Sequence, residues 1–174
     1  MKKINKNTVL HKWKPYFLCG VLMLFLSNIH IYAQENPPRP ILVNMLQDLS
    51  FGAFSQDNSG GTVIIDATGF RTYTGDIVLL NMGYSYFSAI FEIDANKGTV
   101  ISILNGPDIF LVDGSGHSMK FHIDAAIPAS PFTTTVSPPV KTQVSIGGTL
   151  TVGSPLSNPA GTYIGTFSIT FNQE

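Results

Sequence analysis

The chain has 174 residues, a formal net charge of −1, a single cysteine and a hydrophobic content of 44%. This length suits one domain with a sizeable core. One cysteine cannot form a disulfide within the chain, and no basic cluster lies beyond the first 33 residues. Nucleic acid and anionic membrane surfaces are therefore excluded as expected partners.

The charges are distributed unevenly along the sequence. Residues 1–33 contain five lysines and no acid, whereas residues 34–174 contain all eleven acids and five cations, a net charge of −6. The basic head is followed by the apolar run YFLCGVLMLFL (16–26) and then by SNIHIYA, which ends at Ala33. This arrangement is typical of a secretory signal peptide. We predict a signal peptide over 1–33, cleavage after Ala33, and export to the periplasm, the outer surface or the extracellular space.

Two alternatives concern the same segment. An uncleaved membrane anchor is disfavoured because the uninterrupted apolar run has 11 residues, whereas a span takes about 20. Lipidation of Cys19 is disfavoured because large residues precede it and because it lies at the start of the apolar run. No stable membrane span is expected after cleavage. The mature chain lacks cysteine and tryptophan, so core packing and strand pairing must stabilise it.

The mature chain shows apolar residues alternating with a period of two, interrupted about every ten residues by Gly, Asn, Asp or Pro. This pattern predicts an all-β fold, an immunoglobulin-like antiparallel β-sandwich. We place this domain over 47–174, with 34–46 as an N-terminal extension or first strand.

The predicted elements follow in chain order. Turns are expected at 57–61 and 81–84, and a proline-containing loop at 125–140. In the closing strand, Tyr163, Phe167, Ile169 and Phe171 share one face. Strands are predicted at 41–54 with a kink near Gly52, 62–66, 70–80, 86–94, 99–105, 109–124 as a hairpin, 142–152 and 161–171.

Three motifs contain residue types that occur in metal sites or catalytic sites. His122 and Asp124 share a face and could supply two metal ligands, although two half-exposed polar residues explain them better. DGSGH (113–117) lacks the context of a serine nucleophile, and a hairpin turn accounts for it. Asp57 and Asn58 before two glycines fit a turn better than a calcium loop. We therefore predict no catalytic, cofactor or metal residues, and a protein that is not an enzyme.

Two further groups suggest roles outside catalysis. Tyr84, Tyr86 and Phe87 form a candidate ligand platform, because exposed aromatic rings stack against sugars. Core or cross-strand packing is the favoured alternative. Arg71 lies close in sequence to Asp66 and Asp76, which predicts a structural ion pair.

Four segments together carry a resemblance that covers most of the mature domain. They are GGTVIIDATGFRTYTGD (60–76), SGHSMKF (115–121), VSIGGTLTV (144–152) and GTYIGTFSITF (161–171). The chain resembles a family of secreted bacterial proteins labelled only as a domain of unknown function. It is similar, more distantly, to spore-coat-U-like and fimbrial subunits, which have immunoglobulin-like sandwiches. The resemblance implies a structural role at the cell surface and provides no catalytic residues to transfer.

The closing segment resembles the carboxy-terminal strand of chaperone-assembled pilins, in which a neighbour's strand completes the sandwich. The donor would be 34–46, although Leu42 and Leu46 make it apolar on both faces. The favoured alternative is that this segment is the domain's own first strand. The candidate strand-exchange residues are Ile41, Val43, Met45, Tyr163, Phe167, Ile169 and Phe171.

The sequence thus favours a non-enzymatic structural or adhesive surface subunit whose partners are its own copies or other surface subunits. The alternative is a self-contained carbohydrate-binding module that binds a glycan through Tyr84–Phe87 or the loop 125–140. A hydrolase is the third and weakest hypothesis.

Overall fold

Most strands lie where alternation and turn residues predict them. The computed structural model describes residues 39–174, so the predicted signal peptide and residues 34–38 lie outside the described residues. The strands are β1 (Leu42–Gln47), β2 (Ser50–Phe51), β3 (Ala53–Ile65), β4 (Arg71–Leu80), β5 (Tyr86–Phe87), β6 (Ala89–Asp94), β7 (Val100–Asn105), β8 (Ile109–Val112), β9 (Ser118–Ile127), β10 (Phe132–Thr133), β11 (Thr142–Val152) and β12 (Ile169–Gln173).

The main sheet is organised around β11. One edge of β11 pairs with β9, which in turn pairs with β8. The other edge is divided, because residues 142–146 pair with β6 and residues 148–152 pair with β3. Strand β1 continues the sheet beyond β6, and β4 continues it beyond β3. Every pairing is antiparallel.

Gly147 lies at the point where β11 changes partner. A Cβ at this position would collide with the carbonyl oxygen of Ile65, at the end of β3. The absent side chain therefore lets the two backbones approach closely, and this closeness is what allows β3 to follow β6 along one edge of β11.

A second, smaller sheet covers the inner face of the first. Its order is β10–β7–β12, and β2 and β5 form a separate two-stranded ladder. The rings of Phe91 and Phe171 lie 5.4 Å apart across the two sheets, and the ring of Phe167, in the segment before β12, lies at the same distance from that of Phe121. The fully buried residues come from both layers and include Ile65, Ile93, Ile101, Val144 and Ile146. The predicted all-β antiparallel sandwich is confirmed.

Three local predictions differ from the structure. The predicted turn at 57–61 is a bulge within β3, which pairs with β4 on both sides of it, at Gln56 and again at Gly61. The predicted loop 125–140 contains the end of β9 and the short β10. The closing strand covers 169–173 rather than 161–171.

The shorter closing strand has a physical reason. Between 161 and 168 the chain makes a single bridge, from Ile164 to Val112. Gly165 lies against Leu111 and the carbonyl of Phe110, so this segment crosses the end of β8 instead of pairing along a strand. The predicted alternation of side chains is nevertheless present, since Tyr163, Phe167, Ile169 and Phe171 all pack against the core.

Candidate functional site

The first candidate surface is the outer edge of β1. The strand pairs antiparallel with β6, from Leu42 opposite Asp94 to Gln47 opposite Ile90. Within residues 39–174 it has no partner on its other side. The structure therefore places residues 42–46 of the proposed donor in the chain's own sheet, and Ile41 packs against the core.

This edge is apolar on both faces and open to solvent. Val43 and Met45 lie opposite Ile93 and Phe91 and so face the core side of the sheet, while Leu42 lies opposite Asp94 on the outer side. Leu42, Val43, Met45 and Leu46 are 55%, 39%, 57% and 54% exposed, respectively. We name residues 42–46 the β1 edge. Exposed apolar strands at a sheet edge are association sites.

Two polar contacts attach the ends of β1 to the domain. Arg39 forms an ion pair with Asp94 at 3.5 Å, before the strand begins. At the other end, the side-chain amide of Gln47 donates a hydrogen bond to the carbonyl of Ser88 at 2.8 Å. The strand is thus held at its ends, while its centre is held by backbone pairing on one side.

The closing segment, by contrast, is part of the core. Phe167 and Phe171 pack against Phe121 and Phe91, and the hydroxyl of Tyr163 donates a hydrogen bond to the carbonyl of Pro159 at 2.9 Å. Burial raises the pKa of this hydroxyl, and the negative charge of Asp113 raises it further. Of the candidate strand-exchange residues, Val43 and Met45 are therefore the exposed ones.

The second candidate surface is the tyrosine platform, which we define as Tyr84 and Tyr86. Tyr84 is 69% exposed and Tyr86 is 45% exposed, whereas Phe87 is half-buried. One face of the Tyr86 ring is covered by the guanidinium of Arg71, whose carbon lies 4.2 Å from the ring centre. Tyr84 is therefore the freer of the two rings.

Arg71 has a structural role that differs from the predicted ion pair. Its guanidinium donates hydrogen bonds to the carbonyls of Phe51 and Ala53, at 2.9 and 3.2 Å. None of the ion pairs in residues 39–174 involves it. The nearby Asp66 instead caps the β3–β4 turn, where the hydroxyl of Thr68 and the N–H of Phe70 lower the pKa of its carboxyl. The predicted ion pair of Arg71 with Asp66 or Asp76 is therefore wrong, because the two terminal nitrogens of the guanidinium donate to neighbouring carbonyls instead.

A polar network on β9 accounts for His122. Its Nδ1 lies 2.6 Å from a carboxylate oxygen of Asp108, and the Nζ of Lys120 lies 2.7 Å from the other oxygen. The hydrogen bonds from Lys120 and His122 lower the pKa of Asp108. Asp124 lies 3.9 Å from Nε2 of His122 and accepts a hydrogen bond from Thr149. Within the described chain no three His, Cys, Asp or Glu side chains are grouped so that they could hold a metal ion.

DGSGH forms the hairpin turn between β8 and β9. Gly116 has a φ of +92°, and Asp113 accepts hydrogen bonds from the backbone N–H groups of Ser115 and His117. Burial alone would raise the pKa of Asp113, but the hydrogen bonds from the His117 side chain and from these N–H groups lower it. The serine in this motif lies in an exposed turn.

Sequence reasoning missed the buried polar residues Ser88, Thr134 and Asn158, of which Asn158 connects a loop to a strand. Its Oδ1 accepts a hydrogen bond from the N–H of Gly153 at 2.6 Å, and its Nδ2 donates to the carbonyl of Ser118 at 2.7 Å. These bonds attach the 153–163 loop to the start of β9. The only hint in the sequence was the Asn-Pro pair at 158–159, which marks a turn.

The loop at 125–140 borders an open cleft of about 250 Å³, lined by residues that include Ile103, Asn105, Ala126 and Ser130. Its lining carries no charged side chain and no aromatic ring. No helix in residues 39–174 is both long and apolar enough to cross a membrane.

Comparisons with known proteins agree with the extent of the sandwich. A family model described as "Domain of unknown function (DUF4402)" matches residues 41–172, from just before β1 into β12. No curated protein matches the chain. No solved structure matches it either.

Proposed function

The chain belongs to the DUF4402 family, a domain of unknown function, and we propose that it is an exported, non-enzymatic structural or adhesive subunit of the cell surface. In this proposal it associates through the β1 edge with its own copies or with other surface subunits. The observation that supports the proposal is an uncharged apolar strand at a sheet edge, solvent-exposed along residues 42–46.

The composition of this edge supports the choice. Proteins that remain monomeric protect their edge strands with lysine, proline, inward-pointing charges or bulges. Of these devices, LVNMLQ contains only the bulge, which lies between Met45 and Gln47 near the end of the strand. Addition of a strand satisfies the open backbone groups and covers the apolar side chains in one step.

The same strand could associate in two ways. It could remain on its own β6 and accept a further strand, or it could leave β6 and pair with the β6 of a neighbour. Asn44 and Glu92 are partners in the β1–β6 ladder, so the double variant Asn44→Cys/Glu92→Cys distinguishes the two. An intramolecular disulfide is expected when β1 stays, and an intermolecular one when it is exchanged.

The primary test is the size of the exported protein. We expect oligomers in size-exclusion chromatography and in unboiled gel electrophoresis, and their loss on deletion of 34–46. A protein that is strictly monomeric, both intact and after this deletion, and still folds cooperatively would contradict the proposal. Fractionation of the producing cell, with protease treatment of intact cells, tests export and surface exposure.

A carbohydrate-binding module is the second candidate, and the exposure of the tyrosine platform favours it. Tyr84→Ala is the appropriate variant, because Tyr86→Ala would also remove the ring on which Arg71 stacks. Binding on a glycan array that is lost in Tyr84→Ala and kept in Tyr73→Ala would favour this function. Tyr73 is the matched control, since it is an exposed tyrosine that lies on β4 and outside the tyrosine platform.

A further inference from the structure

The edges of the sandwich differ in how far they are protected. β4 carries Arg71 and Asp76 along its length. β8 is four residues long, and Ile164 bridges to its last residue. β12 ends in the polar residues Asn172 and Gln173. The β1 edge is therefore a neutral edge whose apolar side chains line both faces.

The sequence of the β1 edge is also complementary to itself. When a two-fold axis perpendicular to the sheet relates two antiparallel strands, the core side of one copy continues into the core side of the other. Because side chains alternate between the two sides, even-numbered residues then lie opposite even-numbered ones, and odd-numbered residues opposite odd-numbered ones. With Asn44 on the axis, Val43 lies opposite Met45 of the second copy, and Leu42 comes to the bulge of the second copy, where Leu46 is the residue without a partner in the β1–β6 ladder. Centring on Val43 or Met45 instead would place leucine opposite asparagine. The Asn44 register therefore matches apolar residues on the core side of the sheet and keeps leucine from lying opposite asparagine on the outer side.

Charges at the two ends fit the same register. Because the two strands run antiparallel, Arg39, just before β1 of one copy, comes to the end where Asp48 follows β1 of the second copy. Asp48 is exposed, and the Arg39 side chain is 45% exposed despite its long ion pair with Asp94. The two-fold axis repeats this contact at the other end of the ladder, so opposite charges flank a neutral centre on both sides.

From these observations we propose that two copies of the chain pair their β1 strands antiparallel about Asn44. The main sheet then continues through the axis in the order β6–β1–β1–β6. The inference rests on the proposed function, because it names the partner and the geometry of the same strand. The contact joins identical surfaces and is closed by the two-fold axis, so it yields a dimer and not an open chain.

The size of the contact sets the expected affinity. A ladder of about five residues from each copy gives a small interface, in the class that buries less than about 1,200 Å². Interfaces of this size are typical of transient association. We therefore expect a dimer whose population depends on concentration, and a covalent trap is the suitable measurement.

The test is disulfide trapping at position 44. The full chain carries Cys19→Ser, so that the introduced cysteine is the only thiol, and Asn44→Cys is compared with Thr72→Cys. Thr72 is an exposed residue on the outer strand β4 and makes a suitable control. Under mild oxidation, we expect Asn44→Cys to form a disulfide-linked dimer at least about tenfold faster than Thr72→Cys, because Cα atoms of opposed residues lie about 4.5–5.5 Å apart.

Three outcomes are distinguishable. Rapid trapping at 44 together with an intramolecular 44–92 disulfide in the double variant supports the symmetric dimer. Slow trapping at 44 in a protein that still forms oligomers, or an intermolecular 44–92 disulfide, overturns the symmetric pairing and leaves the proposed function standing. A protein that stays monomeric at every concentration and is trapped no faster than the control overturns both.

Discussion

At the scale of single residues, the side chain of Arg71 contacts several strands, which the charge pattern of the sequence did not indicate. It joins the start of β3 to the end of β4 through carbonyl oxygens, one of which belongs to Leu80, and it stacks on Tyr86. A lysine has neither the planar fork nor the stacking surface that this site uses.

We therefore predict that Arg71→Lys lowers the free energy of unfolding by about 1–3 kcal/mol, because carbonyls in a half-buried setting lose their donors. Urea denaturation measures this change. Lys97→Ala, at an exposed loop position, is the control and is expected to change stability by less than about 0.5 kcal/mol. A similar effect of both substitutions would show that Arg71 does not stabilise this junction.

Gly147 gives a second prediction for a single residue. Gly147→Ala places a methyl group against the backbone at the end of β3, which cannot yield as a flexible side chain can. We expect a loss of about 1–3 kcal/mol, as for overpacked cores. Gly114→Ala is the matched control, since a methyl group there has no neighbour within 4 Å. Equal denaturation midpoints for the two variants would contradict this account of the divided β11.

At the scale of elements, β1 allows association to be separated from folding. Met45 and Val78 lie on different edge strands and are 57% and 56% exposed. We predict that Met45→Lys raises the dimer dissociation constant at least about tenfold, because a charge on an edge strand opposes pairing. Val78→Lys should leave dimerisation unchanged. Analytical ultracentrifugation measures both, and a parallel loss in both variants would show that β1 is not the interface.

The strands also show which features of the fold could be predicted from the sequence. Alternation predicted most of the strand positions, because every second side chain of a half-buried strand faces the core and is apolar. The 57–61 bulge was predicted as a turn, since Asp, Asn and Gly favour both. A bulge is distinguished from a turn only by the pairing of β3 with β4 before and after residues 57–61. The closing strand was too long because the contact of Gly165 with β8 involves residues about fifty positions earlier in the chain.

The candidate surfaces were predictable to a similar degree. The apolar character of 41–46 was evident in the sequence, whereas its position at an edge depends on the order of strands in the sheet. Likewise, the exposure of Tyr84 agrees with the predicted turn, but the stacking of Arg71 on Tyr86 joins positions 15 residues apart. Local patterns thus identified the residues, and tertiary pairing decided which of them remain exposed.

For the whole molecule, the carboxylates set a dependence of stability on pH. The pKa values of Asp66, Asp108 and Asp113 are lowered from their ordinary value of 3.8 by hydrogen bonds from nearby side chains and N–H groups. A group whose folded pKa is lowered stabilises the fold above its unfolded pKa and loses this contribution as the pH falls through the folded value. Stability contributed by these groups is therefore complete near neutral pH and declines below about pH 4.

We predict that the urea midpoint falls between pH 6 and pH 3, and that it falls less in the triple variant Asp66→Asn/Asp108→Asn/Asp113→Asn. Asp57→Asn, in the exposed bulge, is the control and should keep the full decrease. An unchanged pH dependence in the triple variant would mean that other groups control the loss of stability in acid.

The positions of Arg39 and Glu174 in the sandwich determine which surface stays accessible when the domain is attached to a support. Arg39 lies beside Asp94 at one end of β6, and the N–H of Glu174 donates to the carbonyl of Val100, just across the connection from β6 to β7. Both ends therefore leave the sandwich on the same side, whereas Tyr84 and Tyr86 precede the opposite end of β6. A solid support joined beside Glu174 would therefore be attached at the end of the sandwich away from Tyr84 and Tyr86, and would leave these rings accessible.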